Sequence, residues 1–373
     1  MEKLGAEVSL LGFGCMRFPF SGGEPDMEKV QEMISRAYES GVNYYDTAYV
    51  YNGGKSEEAI GRALKRYPRE SYYLADKLPI WCAETEEDLQ KLFDTSLRRL
   101  GVEYIDFYLL HSQGKENWEK VQKLHAVEFC EKLRAQGKIR HLGFSFHDKP
   151  AVFREILGAH DWDFVQIQLN YLDWEAQRAS ELYEAAEAKG VPCIVMEPLR
   201  GGSLANPPEH IAEVFRKAEP ERSVASFGLR YCASLPNVKV ILSGMSTLAQ
   251  VEDNLATFSD MKPLSQAERG LIGQARALIA KQPRIGCTAC RYCMPCPSGV
   301  NIPSMFHLYN EYMQLYDKGG LNWQVKEGDY RTAGPDQCVR CGACMSHCPQ
   351  HLEIPDELVR VKREVEKALS SVN

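Results

Sequence analysis

The sequence predicts an α/β chain, a (β/α)8 TIM barrel followed by a small, mainly helical domain rich in cysteine. Three observations carry this reading. Short apolar, β-branched runs alternate with amphipathic helical stretches over residues 1–280. The runs are near-continuous, as in Ile105-Asp106-Phe107-Tyr108-Leu109-Leu110, which is the pattern of parallel strands buried on both faces. Eight of the 13 cysteines then fall into two tight runs near the C-terminal end.

In chain order, strands are expected at Leu11–Cys15, Val42–Asp46, Tyr72–Lys77, Ile105–His111, Ile139–Ser145, Phe164–Leu169, Pro192–Glu197 and Val238–Ser243. Helical periodicity fills the intervals at 27–39, 56–66, 85–99, 119–136, 148–158, 175–189, 222–234 and 247–258. Gly41, Gly137 and Gly190 each follow a helical run and precede a strand, where a left-handed stop is wanted. Thr85-x-x-Asp88 has the form of a capping box for the third helix. Eight strand–helix units in about 280 residues fit a closed barrel. A doubly wound open sheet is the alternative, but the Gly-x-Gly-x-x-Gly turn usual after its first strand is absent. The barrel is therefore assigned to 1–283, ending in the linker Lys281-Gln282-Pro283-Arg284.

The first cysteine run is Cys287, Cys290, Cys293, Cys296-Pro297 and the second is Cys338, Cys341, Cys344, Cys348-Pro349. Closely spaced thiols ending in Cys-Pro, twice over, form the ligand pattern of two 4Fe–4S clusters, in which the fourth thiolate commonly reaches across to the other cluster. Zinc is the alternative, since C-x2-C pairs also build tetrahedral sites. The first run is one residue shorter than the second, which leaves the crossover open. Between the runs, Ser304–Asp317 carries Met305, Phe306, Leu308, Tyr309, Tyr312, Met313 and Tyr316, a helix expected to pack on the clusters. The stretch 318–336 is glycine-rich and polar and is expected to be loop. Residues 284–355 thus read as a two-cluster, ferredoxin-like domain, and 356–373 as a solvent-facing terminal helix.

Composition narrows the function classes. A chain of 373 residues exceeds one ordinary core. Its net charge of −7 provides no broad field to neutralise phosphates, so no nucleic-acid partner is expected. No apolar run approaches the roughly 20 residues that span a bilayer. Val8–Gly14 runs into Cys15 as a lipoprotein signal does, but Glu7 precedes it and Phe13-Gly14 suit a strand. Many cysteines with no signal peptide point to a reducing cytoplasm. Cys82, Cys130, Cys193 and Cys232 are expected to be small core residues.

The chemistry of such a barrel sits at the C-terminal ends of its strands. The second to fifth predicted strands end at Asp46, Lys77, His111 and Ser145, and Tyr51 stands on the loop beyond Asp46. A buried Asp–Lys pair can hold a cation beside a phenol and lower its pKa from about 10, while an imidazole orients a substrate oxygen. Singly, each residue has a plain explanation: a core histidine, a strand-end lysine, a turn at Asp46-Thr47. Four in register at one barrel face do not.

The stretch Asn43-Tyr44-Tyr45-Asp46-Thr47-Ala48-Tyr49-Val50-Tyr51-Asn52-Gly53-Gly54-Lys55-Ser56-Glu57-Glu58 resembles the signature of aldo-keto reductases, as do Leu74-Ala75-Asp76-Lys77 and Tyr104-Ile105-Asp106-Phe107-Tyr108-Leu109-Leu110-His111. The resemblance covers residues 1–260 and implies a nicotinamide cofactor, NADH or NADPH, extended across the barrel mouth. It implies Tyr51 as general acid, Asp46 and Lys77 tuning it, and His111 aligning the carbonyl or alcohol of a small substrate. Ser145 and Gln166 match the positions that hold the carboxamide, with Phe146 where asparagine is usual, and Met196 falls where a tyrosine stacks on the nicotinamide. Arg200-Gly201-Gly202 would serve the pyrophosphate. Gly244, beside Ser243, and Gln250 stand where Lys and Arg grip a 2′-phosphate, and Asp253 and Asn254 match the adenine-side pair. Losing two cations weakens the preference for NADPH over NADH and leaves room for a flavin. Trp81, Trp118 and Phe146 are candidate pocket walls. The chain as a whole resembles the ferredoxin-fused branch of that family found in anaerobic bacteria and archaea.

Nicotinamide delivers two electrons as hydride, whereas a 4Fe–4S cluster accepts one at a time. Three readings follow: a reductase whose clusters exchange electrons with a ferredoxin- or flavodoxin-type carrier through a bound flavin or the substrate, a nicotinamide-only reductase whose clusters are structural or shape a partner or substrate site, and a redox-sensing or docking protein with vestigial chemistry. An intact Asp46, Tyr51, Lys77 and His111 set favours the enzymes.

Overall fold

Strands buried on both faces must be covered or closed on themselves, and here they close. The computed structural model describes residues 5–370 apart from 260 and 288. Its barrel strands are β1 (Leu11–Gly14), β2 (Tyr44–Asp46), β3 (Tyr73–Leu78), β4 (Ile105–Gln113), β5 (Ile139–Phe146), β6 (Phe164–Gln168), β7 (Cys193–Met196) and β8 (Val238–Gly244). Each pairs in parallel with its sequence neighbour, and β8 returns to pair with β1. Tyr44, Phe107, Phe164, Val240 and Leu242 fill the interior. That filling leaves no room at Gly12, where a Cβ would meet Val240 Cγ1 at 2.6 Å.

Register decides what reaches the mouth. Gly14 is level with Asp46 on one side and Gly244 on the other, Lys77 with Leu109, Ser145 with Gln166, and Gln168 with Met196. The β4–β5 ladder shifts between Leu110 and Gln113, with Ser112 at φ 50. Irregularities of this kind re-aim side chains at a barrel rim, and this one falls at His111.

The expected glycine stops Gly41, Gly137 and Gly190 all carry positive φ, and the Thr85–Asp88 capping box forms. Two expected helices are split by left-handed residues. His125 separates Lys115–Lys123 from Ala126–Ala135, and Arg178 separates Asp173–Ala176 from Ala179–Ala188. Helices Glu209–Ala218 and Gln266–Ala280 were not expected. Cys130, Cys193 and Cys232 are buried, but Cys82 is exposed rather than in the core.

By contacts the chain forms two compact units. Residues up to Leu199 and Ala225–Glu268 form one compact unit; Arg200–Val224 and the chain from Arg269 onward form the other. Within the second, the Gln282 amide meets the His210 ring at 2.9 Å, tying the end of one unexpected helix to the start of the other. Its core lies between helix Ile302–Leu315, near the expected 304–317, and helix Ile354–Ser370. Ile354, Leu358, Val361, Val365 and Ala368 are buried at helical spacing, so the terminal helix is not solvent-facing all round.

The expected loop at 318–336 is largely helical, as Lys318–Lys326 and Asp329–Ala333. Asp317 explains the first of these: its carboxylate accepts the Gly319 and Gly320 N–H groups at 3.0 and 3.1 Å. Glycines in a capped first turn do not break a helix as they would in its middle. No helix among the described residues is long and apolar enough to cross a membrane.

Candidate active site and cluster sites

β2 delivers Asp46, β3 delivers Lys77 and β4 delivers His111 to the same end of the barrel. The tight turn Tyr51–Gly54 brings the tyrosine back to them. Lys77 Nζ donates to Asp46 Oδ1 and to the Thr47 carbonyl, each at 2.6 Å. The pair is 1% and 3% exposed. The same ammonium lies 4.8 Å from the centroid of the Tyr51 ring, and the His111 ring stands 5.9 Å from Tyr51, edge-on at 81°. Trp81, partly exposed, leans on His111 with ring centroids 5.0 Å apart. The four catalytic candidates are therefore one constellation.

The electrostatics differ from the sequence expectation in one respect. Burial pushes the Tyr51 phenol up from its ordinary value, and Lys77 draws it only part of the way back. The phenol thus keeps its proton at neutral pH, which suits a donor. Burial works against the Lys77 charge, but Asp46 and Tyr51 together hold the ammonium above its ordinary value. Burial likewise raises the Asp46 carboxyl against the pull of Lys77. Burial, Lys77 and His147 all push His111 well down, so its imidazole is neutral. His111 Nδ1 is buried with no hydrogen-bond partner among the described residues.

Sequence reasoning missed His147, at the end of β5 beside these charges, and Arg17. Arg17 crosses Gly244, with its Cδ 3.1 Å from where a Cβ would stand there, and approaches Glu197 at 3.7 Å. Neither lies in a motif that names it.

The expected cofactor positions are distributed unevenly. Ser145 Oγ accepts the Ser112 N–H at 2.7 Å, and Gln166 Nε2 approaches Met196 Sδ at 3.6 Å. Gln166 Oε1 is buried with no partner among the described residues, an open acceptor of the kind a carboxamide N–H satisfies. Ser243 Oγ is held by Asn254 Nδ2 at 2.6 Å. Gln250, Asp253 and Asn254 share one face of helix Leu248–Ser259, and Gln250 Oε1 accepts the Ser246 N–H at 2.7 Å. Arg200, with Gly201 and Gly202, belongs to the second unit, where it forms an ion pair with Glu311 of helix Ile302–Leu315.

Cys287, Cys290, Cys293 and Cys348 line one cavity, walled by Ile302, Phe306, Leu352 and Ile354. The Cys344 thiol is pushed up by burial and by the neighbouring Cys296, Cys338 and Cys293 sulfurs. The last cysteine of the second run thus stands with the first three of the first run. Among the described residues no three His, Cys, Asp or Glu side chains converge as tightly as one metal ion requires. Four thiols spaced round a cavity instead suit the four corners of an iron–sulfur cube.

A model of the Aldo/keto reductase family matches residues 10–276, and one of the 4Fe-4S dicluster domain matches 286–352. The L-galactose dehydrogenase of Arabidopsis thaliana is 26% identical over 73% of this chain and 91% of its own. The NADH-specific methylglyoxal reductase of Escherichia coli is 26% identical over 69% of this chain and 90% of its own. Among solved structures, the holo form of an aldo-keto reductase from Bacillus halodurans superposes with a TM-score of 0.61 at 28% identity, covering 72% of this chain and 92% of that one.

Proposed function

This chain belongs to the aldo/keto reductase family, carries a 4Fe-4S dicluster domain and is an oxidoreductase; from that premise we propose that it interconverts a small carbonyl and its alcohol at Tyr51 and passes electrons through its clusters to an outside carrier. The observation that carries the first half is the buried Lys77–Asp46 pair beside a protonated Tyr51. In the reducing direction Tyr51 gives its proton to the carbonyl oxygen, and the Lys77 charge stabilises the phenolate left behind. Neutral His111 offers a hydrogen bond to the same oxygen, and Trp81 walls the approach. Oxidation of an alcohol runs through the same groups in reverse.

A nicotinamide, held by Ser145 and the open acceptor of Gln166, supplies or takes the hydride when bound. NADH is the proposed form, because Gly244 and Gln250 provide no cation and the E. coli relative is named as NADH-specific. The names of both curated relatives point to small, oxygen-rich substrates.

Cys287, Cys290, Cys293 and Cys348 would hold one cluster, and Cys338, Cys341, Cys344 and Cys296 the other. Such clusters would take one electron each, so the two electrons of a hydride not spent on a carbonyl would pass on as two single electrons, with its proton released to solvent. The rim of the cluster loops leaves Tyr292 and Val339 exposed beside Arg291 and Arg340, a face suited to an acidic protein carrier in a reducing cytoplasm. Anaerobic titration of iron-replete protein with NADH and NADPH, followed by cluster absorbance and EPR, tests the coupling. Bleaching supports it. Reduction of aldehydes while the clusters stay oxidised would leave them a structural role in a nicotinamide-only reductase.

A further inference from the structure

Behind Lys77 two more carboxyls are buried. Asp76 precedes the lysine on β3, and Glu57 lies in the first turn of helix Lys55–Leu64, which follows the Tyr51 turn. Both side chains are fully buried. One oxygen of each is satisfied: Glu57 Oε2 accepts from Arg99 Nη1 at 2.7 Å, and Asp76 Oδ1 accepts the Lys77 N–H at 2.8 Å. The remaining oxygens, Glu57 Oε1 and Asp76 Oδ2, have no donor among the described residues, and Glu57 is near enough to raise the Asp76 carboxyl. Two carboxylates in contact away from water cannot both stay ionised; one proton between them turns repulsion into a hydrogen bond.

Arg99 extends this arrangement to the Tyr51 loop. Its Nη1 also donates to the Tyr49 carbonyl at 3.2 Å, and the guanidinium lies 4.5 Å from the Tyr49 ring centroid. It occupies the space a Cβ at Gly54 would need, 2.5 Å away, and Gly54 has φ 89. A chain of contacts therefore runs from Tyr49 and Gly54 through Arg99, Glu57 and Asp76 to the backbone of Lys77.

We propose that Asp76 keeps its proton at neutral pH and donates it to Glu57, and that this bridge, anchored by Arg99, positions the Tyr51 loop against the strand that carries Lys77. Glu57, Asp76 and Arg99 are positioning residues that touch neither substrate nor cofactor. The charged and titratable groups facing the bridge are Arg99, Lys77 and the Tyr108 phenol, with Glu58 beyond Arg99. Burial first, and Glu57 second, hold the Asp76 carboxyl well above its ordinary value.

The sign of the linkage follows. An acid whose folded pKa is raised keeps its proton on folding and loses it on unfolding. Stability is then full below the ordinary carboxyl pKa of about 4 and falls as pH rises toward the folded value. Asp76→Asn and Glu57→Gln each place the bridging hydrogen on an amide, where it cannot titrate. Melting temperatures of wild type, D76N and E57Q between pH 5 and 8 test the proton. Wild type is expected to lose ground to both amides steadily as pH rises. A constant offset between wild type and both amides across that range overturns the bridging proton.

The positioning half rests on the reading of Tyr51 as proton donor. Glu57→Ala is expected to lower kcat by roughly tenfold to a hundredfold with KM little changed, and E57Q to recover it. Equal losses in both variants overturn positioning by the bridge. Tyr51→Phe separates the two readings: unchanged turnover there removes the proton-donor role, while the pH-linked stability of D76N would stand on its own.

Discussion

Asp46 and Lys77 are locked by a closed sheet and by hydrogen bonds of 2.6 Å, with both side chains out of contact with water. The eight cysteines proposed as cluster ligands sit on turns in the second unit, where none is fully buried and Cys290 and Cys341 are exposed. Their core is the narrow contact between helices Ile302–Leu315 and Ile354–Ser370, with most of the cysteines along its edge. The barrel therefore organises its chemistry before any ligand arrives. The second unit is expected to depend on its clusters for part of its folding, since metal-binding energy there becomes folding energy.

Iron removal is the largest test of that difference. Chelation under reducing conditions is expected to open residues 284–370 to protease and to melt their helices, while the barrel keeps its hydrogen-exchange protection and its melting transition. Loss of both units together would end the comparison. Within the second unit, Cys348→Ser and Cys287→Ser should abolish the same cluster signal in EPR, and Cys296→Ser the other. The opposite grouping would overturn the crossed assignment.

Next in size is Tyr51→Phe. Turnover of carbonyl substrates should fall by at least about 10²–10⁴. Cluster absorbance should not move, because the substitution removes one hydroxyl within the barrel and leaves the ring against Lys77 and His111. Activity within a few-fold of wild type would take the proton-donor role away from Tyr51.

The same contrast separates what was legible in the sequence from what was not. Barrel strands are legible because double-sided burial writes itself as apolar runs, and their ends name Asp46, Lys77 and His111 directly. Cysteine spacing is legible because cluster geometry dictates it. The helix Lys318–Lys326 was hidden because Gly319 and Gly320 look like breakers until Asp317 is seen to cap them. The direction of the Tyr51 pKa was hidden because burial, which sequence gives only crudely, outweighs the nearby cation. Glu57 and Asp76 lie within family-like stretches, but their proximity depends on how one loop folds back on one strand.

Barrel stability should carry its own acid signature. Arg230 pairs with Glu268 where both side chains are nearly buried, and Arg230 Nε also donates to the Lys262 carbonyl. Burial would raise the Glu268 carboxyl, but Arg230 and Ser265 bring it down to about 2. A depressed folded pKa means the contribution is present above the ordinary carboxyl range near 4 and is lost as pH falls toward 2. Glu268→Gln is expected to lower barrel stability by about 3 kcal/mol at pH 7 and to flatten the acid limb of its denaturation curve. An unchanged acid limb would assign that limb to other carboxyls.

The smallest expected effect concerns cofactor choice. Gln250 folds back onto the Ser246 N–H at 2.7 Å from the exposed face of helix Leu248–Ser259. Replacing it with arginine exchanges that local bond for a cation able to reach a 2′-phosphate. A single charge-assisted contact at an exposed site is worth about 1–1.5 kcal/mol, so NADPH affinity should rise about tenfold. NADH lacks the 2′-phosphate and should gain little, and added salt should erase the NADPH gain within a few hundred millimolar. Fluorescence titration of both cofactors against the Gln250→Arg variant reads this directly. Equal gains for the two would place Gln250 near the shared pyrophosphate instead. No gain for either would remove it from the cofactor site and leave Arg17, which already crosses Gly244, as the cation to test there.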